Sequence, residues 1–99
     1  MKLKIKADIA QLRALAARYD LDMPEDGNIT FSAGEIGYRL NVRLESGTVY
    51  EMFLSSRDDG VKLTYLVITE DKFGSPCTMN SHYDVSAELL EELGIAGQI

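Results

Sequence analysis

One stretch of alternating residues constrains the fold of this chain more than any other feature. Between residues 36 and 45, apolar side chains occupy every second position, and polar or small residues fill the positions between them. A period of two is typical of a β-strand with one buried face and one wet face. The apolar positions are Ile36, Tyr38, Leu40, Val42 and Leu44. A half-buried strand needs neighbouring strands, so the sequence predicts an antiparallel sheet.

Turn residues separate further segments of strand character and connect them in chain order. Ser46 with Gly47, and Asp58 with Asp59 and Gly60, are typical hairpin connections. The predicted strands cover residues 28–32, 36–45, 48–56 and 61–70. Residues 77–83 form either a fifth strand at the edge of the sheet or an ordered loop.

Helices are predicted on both sides of this strand region. Asp8 is a good N-cap, and Gln11 stands three residues later, as in a capping box. Apolar residues then recur at helical spacing as far as Tyr19. Ser86 is the N-cap of a second predicted helix, which ends at Leu93 before Gly94.

These elements predict a single α+β domain over residues 1–99. Its centre is a four-stranded antiparallel β-meander, or a five-stranded one if residues 77–83 join it. An N-terminal and a C-terminal helix flank the meander, in the order (β)αββββα. The bracketed first strand is residues 2–6, where lysines alternate with apolar residues.

The two faces of the predicted sheet differ in character. The apolar residues of 36–45 should share the core face with Tyr50, Met52, Leu54, Val61, Leu63, Tyr65 and Val67. A two-residue loop at Ser46 and Gly47 would instead pair Leu44 with Val49, so this assignment requires a three-residue loop or a bulge. The opposite face would carry Val49, Phe53, Leu66 and Ile68. They are too apolar for a fully wet face, so either the C-terminal segment, including residues 77–83, or a partner covers them.

The charge distribution limits the classes of partner. The chain has 16 acidic and 10 basic residues and a net charge of −6. This acidity argues against direct binding of nucleic acid or anionic membranes and favours a protein partner with a basic surface. Residues 73–99 contain no Lys or Arg. The predicted partner-binding residues are the acids Asp84, Glu88, Glu91 and Glu92 with the apolar Phe53, Leu66 and Ile68.

Cysteine usage and hydropathy indicate the compartment. Cys77 is the single cysteine, so it can form neither an intrachain disulfide nor a cysteine-based zinc site. No apolar run has the length of a signal peptide or a membrane span. We therefore predict a cytoplasmic protein.

No residue pattern predicts catalysis, a metal or a cofactor. Cys77, His82 and Asp84 resemble a nucleophilic set, but no oxyanion-hole signature accompanies them, and catalytic sets usually come from separate elements of a fold. The oxygen-rich loop around Asp20 and Asp26 lacks the glycine and glutamate positions of a calcium-binding loop. The glycines form no phosphate-binding pattern.

The resulting functional prediction is a small acidic protein-binding or inhibitory protein rather than an enzyme. Its partner would be a protein with a basic surface, including proteins that themselves bind nucleic acid. In size and charge the chain resembles the small acidic phage proteins that disarm bacterial defence systems, including anti-CRISPR proteins, although no motif carries that resemblance. Two alternatives remain open: a small enzyme or enzyme subunit that uses Cys77 and His82, and a structural homodimer formed through the sheet face or an edge strand.

Overall fold

Five strands and two helices make up the described part of the chain, residues 4–35, 37–70 and 72–95 of a computed structural model. In chain order they are α1 (Ile9–Arg18), β1 (Asn28–Ala33), β2 (Gly37–Arg43), β3 (Val49–Arg57), β4 (Gly60–Glu70), β5 (Pro76–Val85) and α2 (Ala87–Glu92). This order, αβββββα, confirms the predicted α+β class. The uncertain segment 77–83 lies within the fifth strand.

The predicted strand at residues 2–6 is only partly within the described chain, because residues 1–3 lie outside it. Of the remaining three residues, only Ile5 makes a β-bridge. The next residue, Lys6, donates its backbone N–H to the carbonyl of Ile95 at 2.8 Å. The N-terminal segment is thus held beside the end of the described chain.

The sheet is a meander in which each strand pairs antiparallel with the next, in the order β1-β2-β3-β4-β5. Leu40 lies opposite Met52, and Met52 lies opposite Tyr65. This register places the predicted core residues of β2, β3 and β4 on one face, as the alternation indicated. Ile36, which was assigned to the same face, lies outside the described residues.

The β2–β3 hairpin has the three-residue loop that the face assignment required. The Leu44 N–H donates to the Thr48 carbonyl, and the Gly47 N–H donates to the Leu44 carbonyl, both at 2.9 Å. Residues 45–47 therefore form the loop. Gly47 has φ of +95°, a backbone conformation that glycine adopts without a steric penalty.

Both helices begin at the predicted caps. Asp8 and Gln11 form a reciprocal capping box, with backbone-to-side-chain distances of 2.8 and 2.9 Å. At α2, the Ser86 hydroxyl accepts from the Leu89 N–H at 3.2 Å, and Gly94 follows with φ of +75°. The Gln11 side-chain amide also donates to the Gly94 carbonyl at 3.2 Å, which ties the start of α1 to the end of α2.

The helices cover one face of the sheet and form the core with it. Leu12 and Leu15 of α1 and Leu90 of α2 are fully buried in one cluster with sheet residues. The sheet contributes its own fully buried side chains, Leu40, Met52, Leu54 and Leu63. Burying a side chain of this size contributes about 1.5–3 kcal/mol, so this layer supplies much of the stability.

The other face of the sheet, called the open face below, is not covered by any described element. The segments outside the sheet contribute to the core cluster on the helix side, through Ile5, Leu21 and Met23 as well as the helices. The expectation that residues 77–83 might cover the open face is wrong. Those residues pair with β4 within the plane of the sheet, because β4 is long enough to offer them a full hydrogen-bonding edge.

Candidate docking face of the sheet

Four apolar side chains form the centre of the open face. Val49 lies directly opposite Ile68, Leu66 is the next residue of β4 on this face, and Phe53 of β3 is the diagonal neighbour of Leu66. Directly opposed side chains in an antiparallel pair have Cβ atoms about 5 Å apart, and diagonal neighbours remain within reach. All four are half-buried. They therefore form one contiguous patch, which we call the apolar centre.

A polar cluster borders the apolar centre on β2 and holds Phe53 in place. The Arg39 guanidinium lies over the Phe53 ring, with Cζ 4.9 Å from the ring centroid. The same side chain is 3.7 Å from a carboxylate oxygen of Glu51, which also accepts from the Asn41 amide at 3.2 Å. The guanidinium thus combines a cation–π contact with an ion pair, so its orientation on the face is defined.

The β5 side of the face carries a second polar border. His82 Nδ1 lies 3.4 Å from the Thr64 hydroxyl oxygen. At the next residue pair on this face, Lys62 forms an ion pair with Asp84 and lies 3.9 Å from Asp59. The hydrogen bond that Lys62 donates to the Asp84 carboxylate raises the pKa of Lys62, and the negative charge of Asp84 acts in the same direction. Lys62 therefore remains a cation in neutral solution.

A shallow cleft lies at one end of the apolar centre. It has a volume of about 250 Å³ and is lined by Ser32, Gly34, Gly37, Arg39 and Phe53, among others. Only glycine fits at position 37, because a Cβ there would lie 2.1 Å from the Leu54 carbonyl oxygen. The face therefore has a depression beside the Phe53 ring.

The structure divides the predicted partner-binding residues into two groups. Phe53, Leu66, Ile68 and Asp84 share the open face. The three glutamates, Glu88, Glu91 and Glu92, are exposed on or at the end of α2, which packs on the other side of the sheet through Leu90. Because β5 leads directly into α2, the two groups meet at one corner of the molecule rather than forming one surface.

Two of the four predicted acids are already paired with cations. Asp84 pairs with Lys62, and Glu92 pairs with Arg18 of α1. Such surface pairs contribute little free energy and exchange readily with solvent or with a partner. Glu88 and Glu91 have no salt bridge to any residue that the structure describes.

The suspected nucleophilic set is not assembled. Cys77 and His82 lie five positions apart on β5, which is about 17 Å along an extended strand. An odd separation also places their side chains on opposite faces. His82 contacts Thr64, Asp84 contacts Lys62, and the Cys77 thiol is exposed.

Sequence reasoning missed the polar residues that hold the apolar centre. Arg39 and Asn41 are among the polar residues that alternate with the apolar ones of residues 36–45, and no sequence pattern singled out Glu51. Their contacts with one another and with Phe53 depend on the β2–β3 register. A signal was present, because the three-residue loop fixes that register and pairs Arg39 with Phe53 and Asn41 with Glu51.

Comparison with protein-family models, curated proteins and solved structures found no match. Within the described ranges, no group of three or more His, Cys, Asp or Glu side chains could hold a metal ion. No helix there is long and apolar enough to cross a membrane. Fold and site together define an α+β protein in which none of the described elements covers one face of the antiparallel sheet.

Proposed function

We propose that this chain is a small protein-binding or inhibitory protein, not an enzyme, and that a protein partner docks on its open face. The observation that carries the proposal is the apolar centre, bordered by polar side chains and uncovered by any described element. An apolar core within a polar rim is the usual anatomy of a protein interface. Phe53 and Arg39 belong to the residue types enriched at such sites.

The apolar centre would supply most of the affinity. Its four side chains are half-exposed, so a partner that covers them removes their remaining apolar area from water. Residues of this kind, central and surrounded by a polar border, dominate binding energies in alanine scans. They chiefly determine how slowly a complex dissociates.

The acidity of the chain would select and attract a basic partner. The open face nearly balances its own charges, with the cations Arg39, Arg43, Arg57 and Lys62 and the carboxylates Glu51, Glu70 and Asp84. The net negative charge of the chain is therefore carried by the rest of the surface. A field of that sign raises the association rate of a basic protein, including one that binds nucleic acid. Glu88 and Glu91 extend the field at the corner beside β5.

Size, acidity and the unassembled Cys77–His82 pair support a role of the anti-defence type, in which a small phage protein occupies a basic surface of its target. We also place the protein in the cytoplasm, since its single cysteine is a free, exposed thiol. Both assignments are part of the proposal and depend on finding the partner.

The test is affinity capture from the native host with matched variants, followed by binding kinetics with the captured partner. Phe53→Thr combined with Leu66→Thr keeps β-forming residues but removes two apolar side chains. We expect the dissociation constant to rise by about 30-fold or more, mainly through faster dissociation. Ile9→Thr is the matched control, because Ile9 is an exposed apolar residue of α1 on the opposite side of the sheet.

A second arm tests the charge. Glu88→Lys with Glu91→Lys should slow association and reduce its dependence on salt, while dissociation changes little. A partner that binds the Phe53 and Leu66 double variant as tightly as the wild type would overturn docking on the open face. Association that is unchanged by the lysine variants would remove the basic partner from the proposal.

A further inference from the structure

The outer edge of β5 lacks the usual protection against pairing with another strand. Exposed edges normally carry a lysine, an internal proline or a bulge. β5 has ten residues, an unbroken register with β4, and its only proline at its first position. Residues 73–83 are the longest uncharged stretch of the chain, free of Asp, Glu, Lys and Arg. In a protein with a net charge of −6, this edge is where a second copy meets least repulsion.

The hairpins determine which backbone groups of β5 point outward. The bond from the Leu44 N–H to the Thr48 carbonyl makes residues 44 and 48 a hydrogen-bonded pair. Hydrogen-bonded and non-bonded pairs alternate in antiparallel sheets, and the unbroken registers carry this alternation across to β5. The outward-facing backbone groups therefore belong to Pro76, Thr78, Asn80, His82 and Asp84.

Two of these positions differ from the others. Pro76 has no N–H to donate. The carbonyl of Asp84 already accepts a hydrogen bond from the Tyr19 hydroxyl at 3.5 Å. The edge thus lacks one donor near its beginning and has one occupied acceptor near its end.

We propose that two copies of this chain pair through β5, antiparallel, about a twofold axis at Asn80. In this register Asn80 lies opposite Asn80 of the second copy, Thr78 lies opposite His82, and Pro76 lies opposite Asp84. The missing donor of Pro76 then faces the carbonyl that Tyr19 already satisfies. The two sheets become one ten-stranded sheet with both open faces on the same side, so the dimer leaves those faces free.

The register also accounts for an exposed apolar side chain. Met79 is 66% exposed, although it lies in the middle of a strand. In the proposed dimer it lies beside Ser81 of the second copy, and the neighbouring strand covers part of it. Isologous pairing of this kind closes after two copies, so it produces a dimer rather than a fibre.

The first test is sedimentation equilibrium over a concentration range of about 10 μM to 1 mM. We expect the apparent mass to rise from 11.0 kDa toward twice that value. Asn80→Pro removes an outward N–H and leaves the ladder to β4 intact, so it should raise the dimer dissociation constant by about tenfold or more. Asn80→Lys should have the same effect through like charges at the axis. Thr30→Lys, on the exposed edge strand β1, is the control that should not change the dimer.

Cross-linking tests the register itself. In a Cys77→Ser background, Asn80→Cys should form a disulfide dimer, because a hydrogen-bonded pair has Cα atoms about 5.5 Å apart. Thr78→Cys alone should not cross-link, whereas a mixture of Thr78→Cys and His82→Cys proteins should. A wild-type protein that remains at 11.0 kDa throughout the range would overturn the dimer. A dimer unaffected by either substitution at Asn80 would overturn its location.

Discussion

The two faces of the sheet belong to the same strands but are covered differently. The helices pack on one face, and no described element packs on the other. Leu63 and Leu66 are three residues apart on β4, so they point to opposite faces. Leu63 is fully buried beneath the helices, whereas Leu66 is half-exposed on the open face. Burial of these two leucines is decided by what packs over the sheet, since the residue type and the strand are the same. Stability is therefore concentrated on the helix side of the sheet.

The largest expected effect comes from Leu63→Ala. Its side chain is fully buried in the core cluster, so truncation leaves a cavity as well as losing apolar burial. We expect the free energy of unfolding to fall by about 2–5 kcal/mol. Chemical denaturation monitored by circular dichroism measures this change.

Leu66→Ala tests the same chemistry on the other face. Solvent already reaches this side chain, so we expect a loss of at most about 1.5 kcal/mol. Equal losses for the two leucines would contradict the contrast between the faces and would indicate that a further segment covers the open face.

Tyr65→Phe probes a polar contact on the helix side. The Tyr65 hydroxyl donates to the Asp22 carbonyl at 2.7 Å, and its removal should cost about 0.5–1.5 kcal/mol. Tyr50→Phe is the matched control, since it removes a hydroxyl from a half-buried tyrosine on the same face of the neighbouring strand. A larger effect at Tyr50 would show that the bond to Asp22 does not hold the 21–27 loop.

The same residue gives a dependence on pH. Burial raises the pKa of Tyr65 above its ordinary value of 10.0, and Asp22 adds to the shift. The folded protein then binds more protons than the unfolded chain above pH 10, so stability should fall as the pH rises through that region and stay unaffected by this group below it. In Tyr65→Phe the alkaline decline should be shallower than in the wild type. An identical decline would assign it to other groups.

The smallest expected effect concerns the contact between Arg39 and Phe53 on the open face. A double-mutant cycle with Arg39→Ala and Phe53→Leu should give a coupling energy of about 0.5–1 kcal/mol, the range for a partly exposed cation–π contact. Glu51→Gln in the same background separates the ion pair from the ring contact. A coupling energy of zero would mean that the open face is less ordered than its geometry suggests.

Much of the fold could be predicted because the alternation of apolar and polar residues and the positions of the turn residues indicated the same strands. The period of two in residues 36–45 identified the core face. Keeping that face continuous through the first hairpin then demanded the three-residue loop. The caps at Asp8 and Ser86 could be read from local sequence, since each cap depends on residues within one turn of helix.

β5 was harder to assign for a physical reason. Its residues are exposed on both faces over the first half, so no alternation of apolar and polar residues marks it. Pro76, Asn80 and Ser81 are not strong strand formers. The segment is a strand because β4 offers it a long edge for hydrogen bonding. That pairing depends on residues of β4, so the sequence of residues 76–85 alone does not indicate it.

The site was predictable only in part. Counting faces identified Phe53, Leu66 and Ile68 as a cluster, and the register confirms that they share one face with Val49. The role of Arg39 could not be read from its own strand, because its partners come from β3. Asp84 and the glutamates of α2 appeared contiguous in sequence, yet the strand-to-helix transition at Ser86 separates them in space.

The contact between residues 6 and 95 makes this chain suitable for circular permutation. The backbone bond from Lys6 to Ile95 and the Gln11 amide beside Gly94 hold the two ends of the described chain together. A short peptide linker could therefore join them, and the chain could be opened instead at the exposed Asp58–Asp59 turn. Such a circular permutant would begin with β4 and end with β3, and it would keep every strand pairing although β3 and β4 would no longer be joined by a turn.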